Sequence, residues 1–185
     1  MAKKEKEGGI LSTLLGWILY ILVIIGLTYL IITYVGQRTR VSGDSMNPTL
    51  QDGDNLIVDK ISYRFRDPER YDIIVFPFKH EENTFYIKRI IGLPGETIQV
   101  VDGYVYIDGE LLESDIYGAE VMWKANIAAE PIALGEDEYF VLGDNRNHSS
   151  DSRDPSVGVL TREDLLGRAW VRIYPFDQAG VIKHE

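Results

Sequence analysis

The chain opens with a short charged tail, MAKKEKEGG, and continues as an uninterrupted run of apolar and uncharged residues from Ile10 to Val35. A bilayer span needs about 20 such residues, so the run predicts a transmembrane helix with length to spare. The apolar core of a cleavable signal peptide is only about 7–15 residues long, and it ends in a small-residue cleavage site. A buried core helix would carry a polar face, and this run has none. We therefore expect a tail at residues 1–9 and a membrane anchor at residues 10–35.

Beyond the anchor, short β-branched or aromatic runs alternate with turn residues, a pattern that predicts strands. The predicted strands are Asn55–Ile61, Asp72–Phe76, Thr84–Ile91, Thr97–Val101, Tyr104–Ile107, Tyr139–Leu142 and Arg168–Tyr174. Two Asp-Gly pairs, Asp102-Gly103 and Asp108-Gly109, predict tight hairpins because glycine adopts positive φ at little cost.

The rest of this region has weaker patterns. Thr161–Leu166 predicts a single helical turn, with Thr161 as its N-cap and Asp164 three positions later. Residues 114–135 have no clear period, and we expect a long loop or insertion there. The sequence as a whole predicts a mainly β fold, an antiparallel and barrel-like domain over residues 36–185 that is attached to a single N-terminal transmembrane helix.

Charge divides the chain in the same way. Residues 1–40 carry five basic and two acidic side chains, whereas residues 41–185 carry 14 basic and 27 acidic ones. The basic tail favours a cytoplasmic N-terminus and an extracytoplasmic β domain at the cell membrane, although Arg38 and Arg40 on the far flank weaken that inference. The acidic body argues against a nucleic-acid partner. The chain has no cysteine, which excludes thiol catalysis, and its three histidines lack metal-ligand spacing.

The first segment with candidate chemistry is SGDSMNPTLQDGDNLIVDK, which contains Ser45. Ser45 comes ten residues after Val35, so even a fully extended chain keeps it within roughly 35 Å of the end of the anchor. A serine in such a Gly-, Asp- and Pro-rich stretch is, taken alone, most often a turn residue. Any chemistry at Ser45 is nevertheless expected close to the membrane.

The second segment, TFYIKRIIGLPGE, is a predicted strand that carries Lys88 and Arg89. Strand alternation puts Lys88 on one face with Tyr86 and Arg89 on the other with Ile87, so we do not expect both charges to point inward. Burial would lower the pKa of Lys88 and favour the neutral amine that a general base requires. The alternative is an edge-strand lysine that reaches out to water.

The third segment, FVLGDNRNHSSDSRDPSVG, is a strand followed by a dense polar loop. Its side chains, among them Asp144, Asp151 and Arg153, are expected to brace one another through hydrogen bonds and an Asp–Arg pair. A solvated surface loop is the default interpretation of such a segment on its own.

Together and in this order, the three segments resemble the motifs of type I signal peptidases, which are Ser-Lys proteases. The resemblance covers the span, SMNPTL, GDNLIVDK, KRIIGLPGE and GDNRNHSSDSR, and the short chain is similar to the compact Gram-positive forms. It implies a membrane-bound serine endopeptidase that cuts preproteins after small residues, at A-x-A-like sites, without a metal or organic cofactor. The implied partners are signal-peptide-bearing preproteins and the lipid bilayer.

The resemblance also implies roles for individual residues. Ser45 matches the nucleophile, Lys88 the general base, and Ser149 the serine that hydrogen-bonds and orients that lysine. Asp151 and Arg153 match residues that hold the site together. The positions that match two small apolar substrate pockets are Val41, Met46, Leu50, Tyr86 and Ile87.

One position departs from the pattern, and two other functions stay open. Gly43 stands where some family members have a serine that assists the oxyanion hole, so only the Ser45 backbone N–H is expected as a donor. A Ser-His-Asp hydrolase would use Ser45 and His148 with Asp144 or Asp151, but no G-x-S-x-G elbow surrounds Ser45. A catalytically silent, membrane-tethered binding protein would need the β domain without the Ser-Lys pair.

Overall fold

The computed structural model describes residues 2–30, 36–118 and 120–184, with side chains in the first helix described from Ser12 onward. Helix α1 covers Ala2–Leu30 and therefore begins well before the predicted start at Ile10. Its stretch Ser12–Leu30 is 19 residues long with a mean hydropathy of 2.2, and none of it is buried against the rest of the chain. The predicted end of the anchor at Val35 lies outside the described residues.

The rest of the described chain is mainly antiparallel β-structure, as the sequence predicted. Its strands are β1 (Gly36–Arg40), β2 (Asn55–Asp59), β3 (Ile73–Pro77), β4 (Phe85–Gly92), β5 (Thr97–Val101), β6 (Tyr104–Ile107), β7 (Glu110–Leu111), β8 (Ile132–Ala133), β9 (Glu138–Leu142), β10 (Leu160–Thr161), β11 (Gly167–Tyr174) and β12 (Gly180–Val181). The larger sheet has the order β1-β2-β11-β3-β4-β9-β10, with β12 paired to β11. The smaller sheet has the order β7-β6-β5-β8.

The two Asp-Gly pairs form the predicted hairpins of the smaller sheet. Asp102 and Gly103 have φ values of 50° and 83° and connect β5 to β6. Asp108 and Gly109, with φ values of 51° and 84°, connect β6 to β7 in the same way. Positive φ at both central residues is what a two-residue turn needs to match the twist of its strands.

Five of the described strands were not predicted. β1 has the polar sequence Gly36–Arg40, which carries no strand signal, and it forms by pairing along its whole length with the apolar strand β2. The other four, β7, β8, β10 and β12, are two residues long and are defined by their partners. The predicted turn at Thr161 is a short 3₁₀ helix, Arg162–Asp164, whose Asp164 carboxylate accepts hydrogen bonds from the Thr161 backbone and hydroxyl.

The segment 114–135 is mostly irregular, with one 3₁₀ turn at Asn126–Ala129 and the short strand β8. Its first part is held by a buried bidentate ion pair, because the Arg146 Nη1 and Nη2 each lie 2.6 Å from one of the two Asp115 carboxylate oxygens. A second tie joins Asn147, through its side chain, to the Trp123 N–H at 2.9 Å. The long loop is therefore fastened to the polar loop that follows β9.

Strand β4 lies at the centre of this arrangement and contacts apolar clusters on several sides. Ile87 packs in a cluster with the buried residues of β2 and β3, Ile90 packs with Phe76 and Val141, and Ile91 packs against the smaller sheet. The last six residues of β4, Ile87–Gly92, are all buried. This central position explains why polar side chains on β4 are removed from water.

Candidate active site

Ser45 stands at the start of a turn that is anchored on both sides. Val41 pairs with the backbone of Asp54 and Gly53, and the Leu50 N–H donates to the Met46 carbonyl at 2.9 Å. Met46 and Leu50 are almost fully buried, so the turn packs against the core directly after the serine. Ser45 itself stays partly exposed.

Lys88 on β4 meets Ser45 at this turn. The Lys88 Nζ lies 2.8 Å from the Ser45 Oγ and 3.0 Å from the Ile87 carbonyl oxygen. The lysine side chain is 3% exposed, and this burial lowers its pKa from 10.5 to about 8, against the opposing influence of the Asp151 and Asp144 carboxylates. Lys88 also lies over the Tyr86 ring, 4.9 Å from its centroid. A lysine with this pKa exists partly as the neutral amine near neutral pH.

Asp151 and Arg153 form a buried pair beside the serine and lysine. The Arg153 Nε and Nη2 donate to the two Asp151 carboxylate oxygens at 2.8 and 2.9 Å. Asp151 also accepts the Gly143 N–H at 3.1 Å, and Arg153 donates to the carbonyl oxygens of Arg146 and Lys124. The pair therefore fixes the start and the end of the polar loop that faces Ser45.

Ser149 lies in the same loop, but the hydrogen bond expected between it and Lys88 is not formed. Its hydroxyl is buried and has no hydrogen-bond partner among the described residues. It packs tightly on Gly143, where a Cβ would come within 2.3 Å of the Ser149 Oγ and 2.4 Å of the Ser45 carbonyl oxygen. Glycine at position 143 is what allows the polar loop to approach the Ser45 turn this closely.

Arg89 is also fully buried, so the expectation that only one of Lys88 and Arg89 points inward is wrong. Both faces of β4 are covered, and Arg89 lies on the face opposite Lys88, where its Nε and Nη2 donate to Asp144 at 2.8 and 2.7 Å. Asp144 therefore pairs with Arg89 of β4 and not with a residue of its own loop. Thr49 adds a hydrogen bond to Asp144 at 2.5 Å, and the Arg89 guanidinium stacks 3.6 Å from the centroid of the Tyr117 ring.

This Arg89 cluster was not identified from the sequence as part of the site. The signal that would have found it is an arginine whose neighbours on the same face of a buried strand, Ile87 and Ile91, are both apolar, because a buried guanidinium requires a carboxylate partner. The Arg146–Asp115 ion pair was missed for a different reason, since nothing local marks two residues in separate irregular loops as partners.

A groove of about 720 Å³ runs along this site. Its walls are the segments 38–46 and 83–88, with His148 and Ser150 at the remaining side. Four of the five residues expected to form substrate pockets line the groove: Val41, Met46, Tyr86 and Ile87. Leu50 does not, because it is fully buried in the core cluster beneath the turn.

Strand β4 offers a free edge to the groove. Only the residues from Arg89 onward pair with β9, whereas Phe85–Lys88 pair with β3 alone. The Phe78 N–H donates to the Thr84 carbonyl, so the alternation of an antiparallel ladder turns the backbone groups of Phe85 and Ile87 away from β3. The Ile87 carbonyl oxygen already accepts the Lys88 Nζ at 3.0 Å, whereas the Ile87 N–H and the Phe85 backbone groups remain available, among the described residues, to pair with an extended peptide.

The arrangement needed for a Ser-His-Asp hydrolase is not formed. His148 lines the groove, but the Ser45 hydroxyl is hydrogen-bonded to Lys88. Asp144 and Asp151 are each paired with an arginine, and within residues 36–118 and 120–184 neither carboxylate bonds to the His148 ring. A histidine without an orienting carboxylate lacks the third member of such a triad.

Comparison with known proteins assigns the chain to a family. The family model described as signal peptidase, peptidase S26, matches residues 14–174. The chain belongs to the signal peptidase family. It is accordingly a serine endopeptidase. It is 43% identical to the probable signal peptidase I-2 of Synechocystis sp., over 81% of this chain and 68% of that protein. It is 32% identical to signal peptidase I P of Bacillus subtilis subsp. natto, over 94% of this chain and 96% of that protein.

A solved structure is also similar to this signal peptidase family member. The crystal structure of a signal peptidase I from Enterococcus faecalis is 34% identical, with a TM-score of 0.47. The match covers 56% of this chain and 97% of that chain.

Proposed function

We propose that this peptidase is anchored in the cell membrane and removes signal peptides after small residues through a Ser45–Lys88 dyad. The observation that carries the proposal is the 2.8 Å distance between the Lys88 Nζ and the Ser45 Oγ at the end of an open groove. A hydroxyl becomes an effective nucleophile when an adjacent base takes its proton. Buried Lys88, with a pKa of about 8, suits that task near neutral pH.

The reaction proceeds in two stages. Neutral Lys88 accepts the Ser45 proton as the Ser45 Oγ attacks the scissile carbonyl carbon, and the resulting ammonium then protonates the departing amine. In the second stage Lys88 takes a proton from a water molecule as the water oxygen attacks the acyl-Ser45 ester. The Lys88 ammonium then returns this proton to the departing Ser45 Oγ, which releases the signal peptide with a free carboxyl group and regenerates Ser45 and neutral Lys88.

The negative charge on the carbonyl oxygen is stabilised by the Ser45 N–H, which makes no hydrogen bond to any other described residue. The Gly43 N–H is already engaged by the Asp52 carboxylate at 2.9 Å. Gly43 has φ +88° and open space where a Cβ would lie, so a substrate backbone meets no side chain at this position.

The substrate binds as an extended strand along the free edge of Phe85–Lys88. Val41, Met46 and Ile87 are apolar and almost fully buried at the floor of the groove, so they leave room only for small side chains before the scissile bond. This accounts for cleavage after A-x-A-like sequences, because a larger side chain would displace core residues.

The membrane part of the proposal depends on helix α1. All described side chains from Ser12 to Leu30 are exposed to the surroundings although the stretch is strongly apolar, and such a helix is stable when lipid surrounds it. The lysines of the tail favour a cytoplasmic N-terminus, which puts the catalytic domain on the extracytoplasmic face.

The test is cleavage of a purified preprotein by the full chain in lipid vesicles. Ser45→Ala and Lys88→Ala are each expected to lower kcat/KM by about a thousandfold or more. Lys79→Ala is the matched control, since Lys79 is an exposed lysine outside the groove whose partner is Asp164. Cleavage that survives Lys88→Ala, with His148 retained, would overturn the dyad.

A further inference from the structure

One end of the groove lies at the Ser45–Lys88 dyad, and the other lies away from it. The two long walls of the groove run from Arg38 to Met46 and from Asn83 to Lys88, so both walls end at or directly beside the reacting pair. A peptide held between them lies on one side of the scissile bond. That side is the signal peptide, because the Arg38 end is the end closest in sequence to the membrane helix. The mature part of the substrate must leave past the other end.

Outside these two walls the groove is bordered by Ser150 and His148. His148 also lines a second depression of about 360 Å³ together with Asn145, Asn147 and Glu120. The loop that carries it is fastened to the nucleophile turn, because the Asn145 N–H donates to the Ser45 carbonyl at 3.0 Å and its side chain to the Asp44 carbonyl at 3.1 Å. The groove is therefore continuous with the second depression across His148.

Trp123 from the long 114–135 loop packs on this histidine. The two ring centroids are 6.2 Å apart with an interplanar angle of 73°, an edge-to-face contact. The Trp123 backbone is held by Asn147 at 2.9 Å, and Asn147 in turn donates to Val121 and Glu120 at 3.1 Å each. The backbone of Trp123 is thus held in place, while the residue is 73% exposed and its indole presents a large apolar surface to solvent beside His148.

We infer that Trp123 and His148 form a subsite for the first residues of the mature chain, on the leaving side of the scissile bond. The occupant is a large apolar or aromatic side chain within the first three residues after the cut. An extended peptide advances about 3.3 Å per residue, so two residues cover the 6.2 Å between the His148 and Trp123 rings. The subsite gives residues 114–135 a function that the reaction itself does not require.

The choice of an apolar occupant follows from the surroundings. Trp123 is 73% exposed, so the surface that the loop offers beside His148 is the apolar face of the indole. Glu120 borders the depression and disfavours acidic side chains there. Trp123 has a restrained backbone, and a second ring or an aliphatic chain that packs on its indole makes the kind of contact that is a common source of binding selectivity.

This inference rests on the proposed function, and the experiment separates the two. The substrates are preproteins with an identical signal peptide and either phenylalanine or glycine at the first, second or third position after the cut. The full chain in vesicles is compared with Trp123→Ala, with Trp123→Phe, and with Trp170→Ala, a control tryptophan that is 48% exposed on β11. The readout is the ratio of kcat/KM for the two substrates of each pair.

The expected result is that the unaltered protein favours phenylalanine by about fivefold at one of the three positions. Trp123→Ala reduces this ratio to about one, while Trp123→Phe and Trp170→Ala keep it. Equal ratios in the unaltered protein, or a preference that Trp123→Ala leaves intact, overturn the subsite while cleavage itself still supports the peptidase. An unaltered protein that cleaves neither substrate contradicts both proposals.

Discussion

Lys88 and Arg89 are neighbours on β4, and they lie in opposite electrostatic environments on the two faces of the strand. Arg89 is paired through two hydrogen bonds with Asp144, whereas Lys88 is hydrogen-bonded to Ser45 and Ile87 and, among the described residues, forms no ion pair. The nearby carboxylates Asp144 and Asp151 are thus each matched by an arginine. Burial is left as the dominant influence on Lys88, and the pKa of its amine falls.

The first prediction concerns the pH dependence of cleavage. Lys88 acts as a base only when it is neutral, and its pKa is about 8. We expect kcat/KM to rise with pH through about 8 and to level off above it. The measurement is kcat/KM for one preprotein from pH 6 to pH 10, with the folded state checked by circular dichroism at each pH. A profile that is flat across this range would contradict the assignment of Lys88 as the base.

The second prediction concerns the Asp151–Arg153 pair, whose carboxylate raises the pKa of Lys88. Asp151→Asn removes that negative charge, so the midpoint of the pH profile is expected to move to lower pH. Arg153→Gln leaves Asp151 without its partner, and the midpoint is expected to move to higher pH. Either change also lowers the free energy of unfolding by about 3–5 kcal/mol, because one buried charge is left unpaired.

The opposite directions of the two shifts separate an electrostatic effect from a general loosening of the site. Shifts in the same direction for both variants would argue that the pair acts only as a structural brace.

The third prediction is that buried Lys88 lowers the free energy of unfolding. The pKa of Lys88 is about 8 in the folded chain, where the amine is buried, and 10.5 when the side chain is in water. The unfolded chain therefore binds more protons than the folded chain between these two pH values. Stability therefore rises as the pH increases from about 8 to 10.5, and below pH 8 the penalty is present in full. Lys88→Met is expected to raise the free energy of unfolding at pH 7 by about 2 kcal/mol.

Urea unfolding of the full chain in detergent micelles measures this gain. Lys79→Met serves as the control for an exposed lysine, and we expect it to change stability by less than about 0.5 kcal/mol. A lower free energy of unfolding in Lys88→Met would contradict the inference that burial of the Lys88 amine destabilises the folded chain.

The fourth prediction concerns His184, which docks the end of the described chain against β3. Its Nδ1 accepts the Ile73 N–H at 2.9 Å, and its carbonyl accepts a hydrogen bond from Tyr117 at 3.1 Å. Burial, helped by the positive charge of Arg168, lowers the pKa of His184 from 6.5 to about 4. The unfolded chain therefore binds more protons between pH 6.5 and pH 4, and stability is lost as the pH falls through this window.

We expect the free energy of unfolding to drop by about 2 kcal/mol between pH 7 and pH 5 on account of this residue. His184→Asn keeps an acceptor for the Ile73 N–H but does not titrate, so its stability should vary less over the same range. An unchanged pH dependence in His184→Asn would show that other groups are responsible.

The sequence predicted the fold where the signal is local. Alternation and turn residues were sufficient for β5 and β6, whose bounds match the prediction residue for residue, and for both Asp-Gly turns. The strand β1 was missed because its polar residues become a strand only through pairing with β2. Local patterns do not contain such information, since a partner distant along the chain supplies it.

The site shows the same division. The resemblance to signal peptidase motifs brought Ser45 and Lys88 forward as candidates, although they lie 43 positions apart along the chain. The pairing of Arg89 with Asp144 was not foreseen, because the prediction treated β4 as covered on one face only. The placement of Leu50 was wrong for a related reason, since an apolar residue next to a site packs in the core as readily as in a pocket.

The most direct test of the account replaces the Lys88 amine and then restores it. The chain contains no cysteine, so Lys88→Cys introduces a single thiol, and alkylation with 2-bromoethylamine converts it into a side chain that ends in an amine, as lysine does. We predict that Lys88→Cys does not cleave a preprotein and that alkylation restores cleavage, whereas alkylation of Lys88→Cys with iodoacetamide does not. Cleavage by unmodified Lys88→Cys at the rate of the unaltered protein, or none after amine restoration in a folded sample, would contradict the role of Lys88 as the base for Ser45.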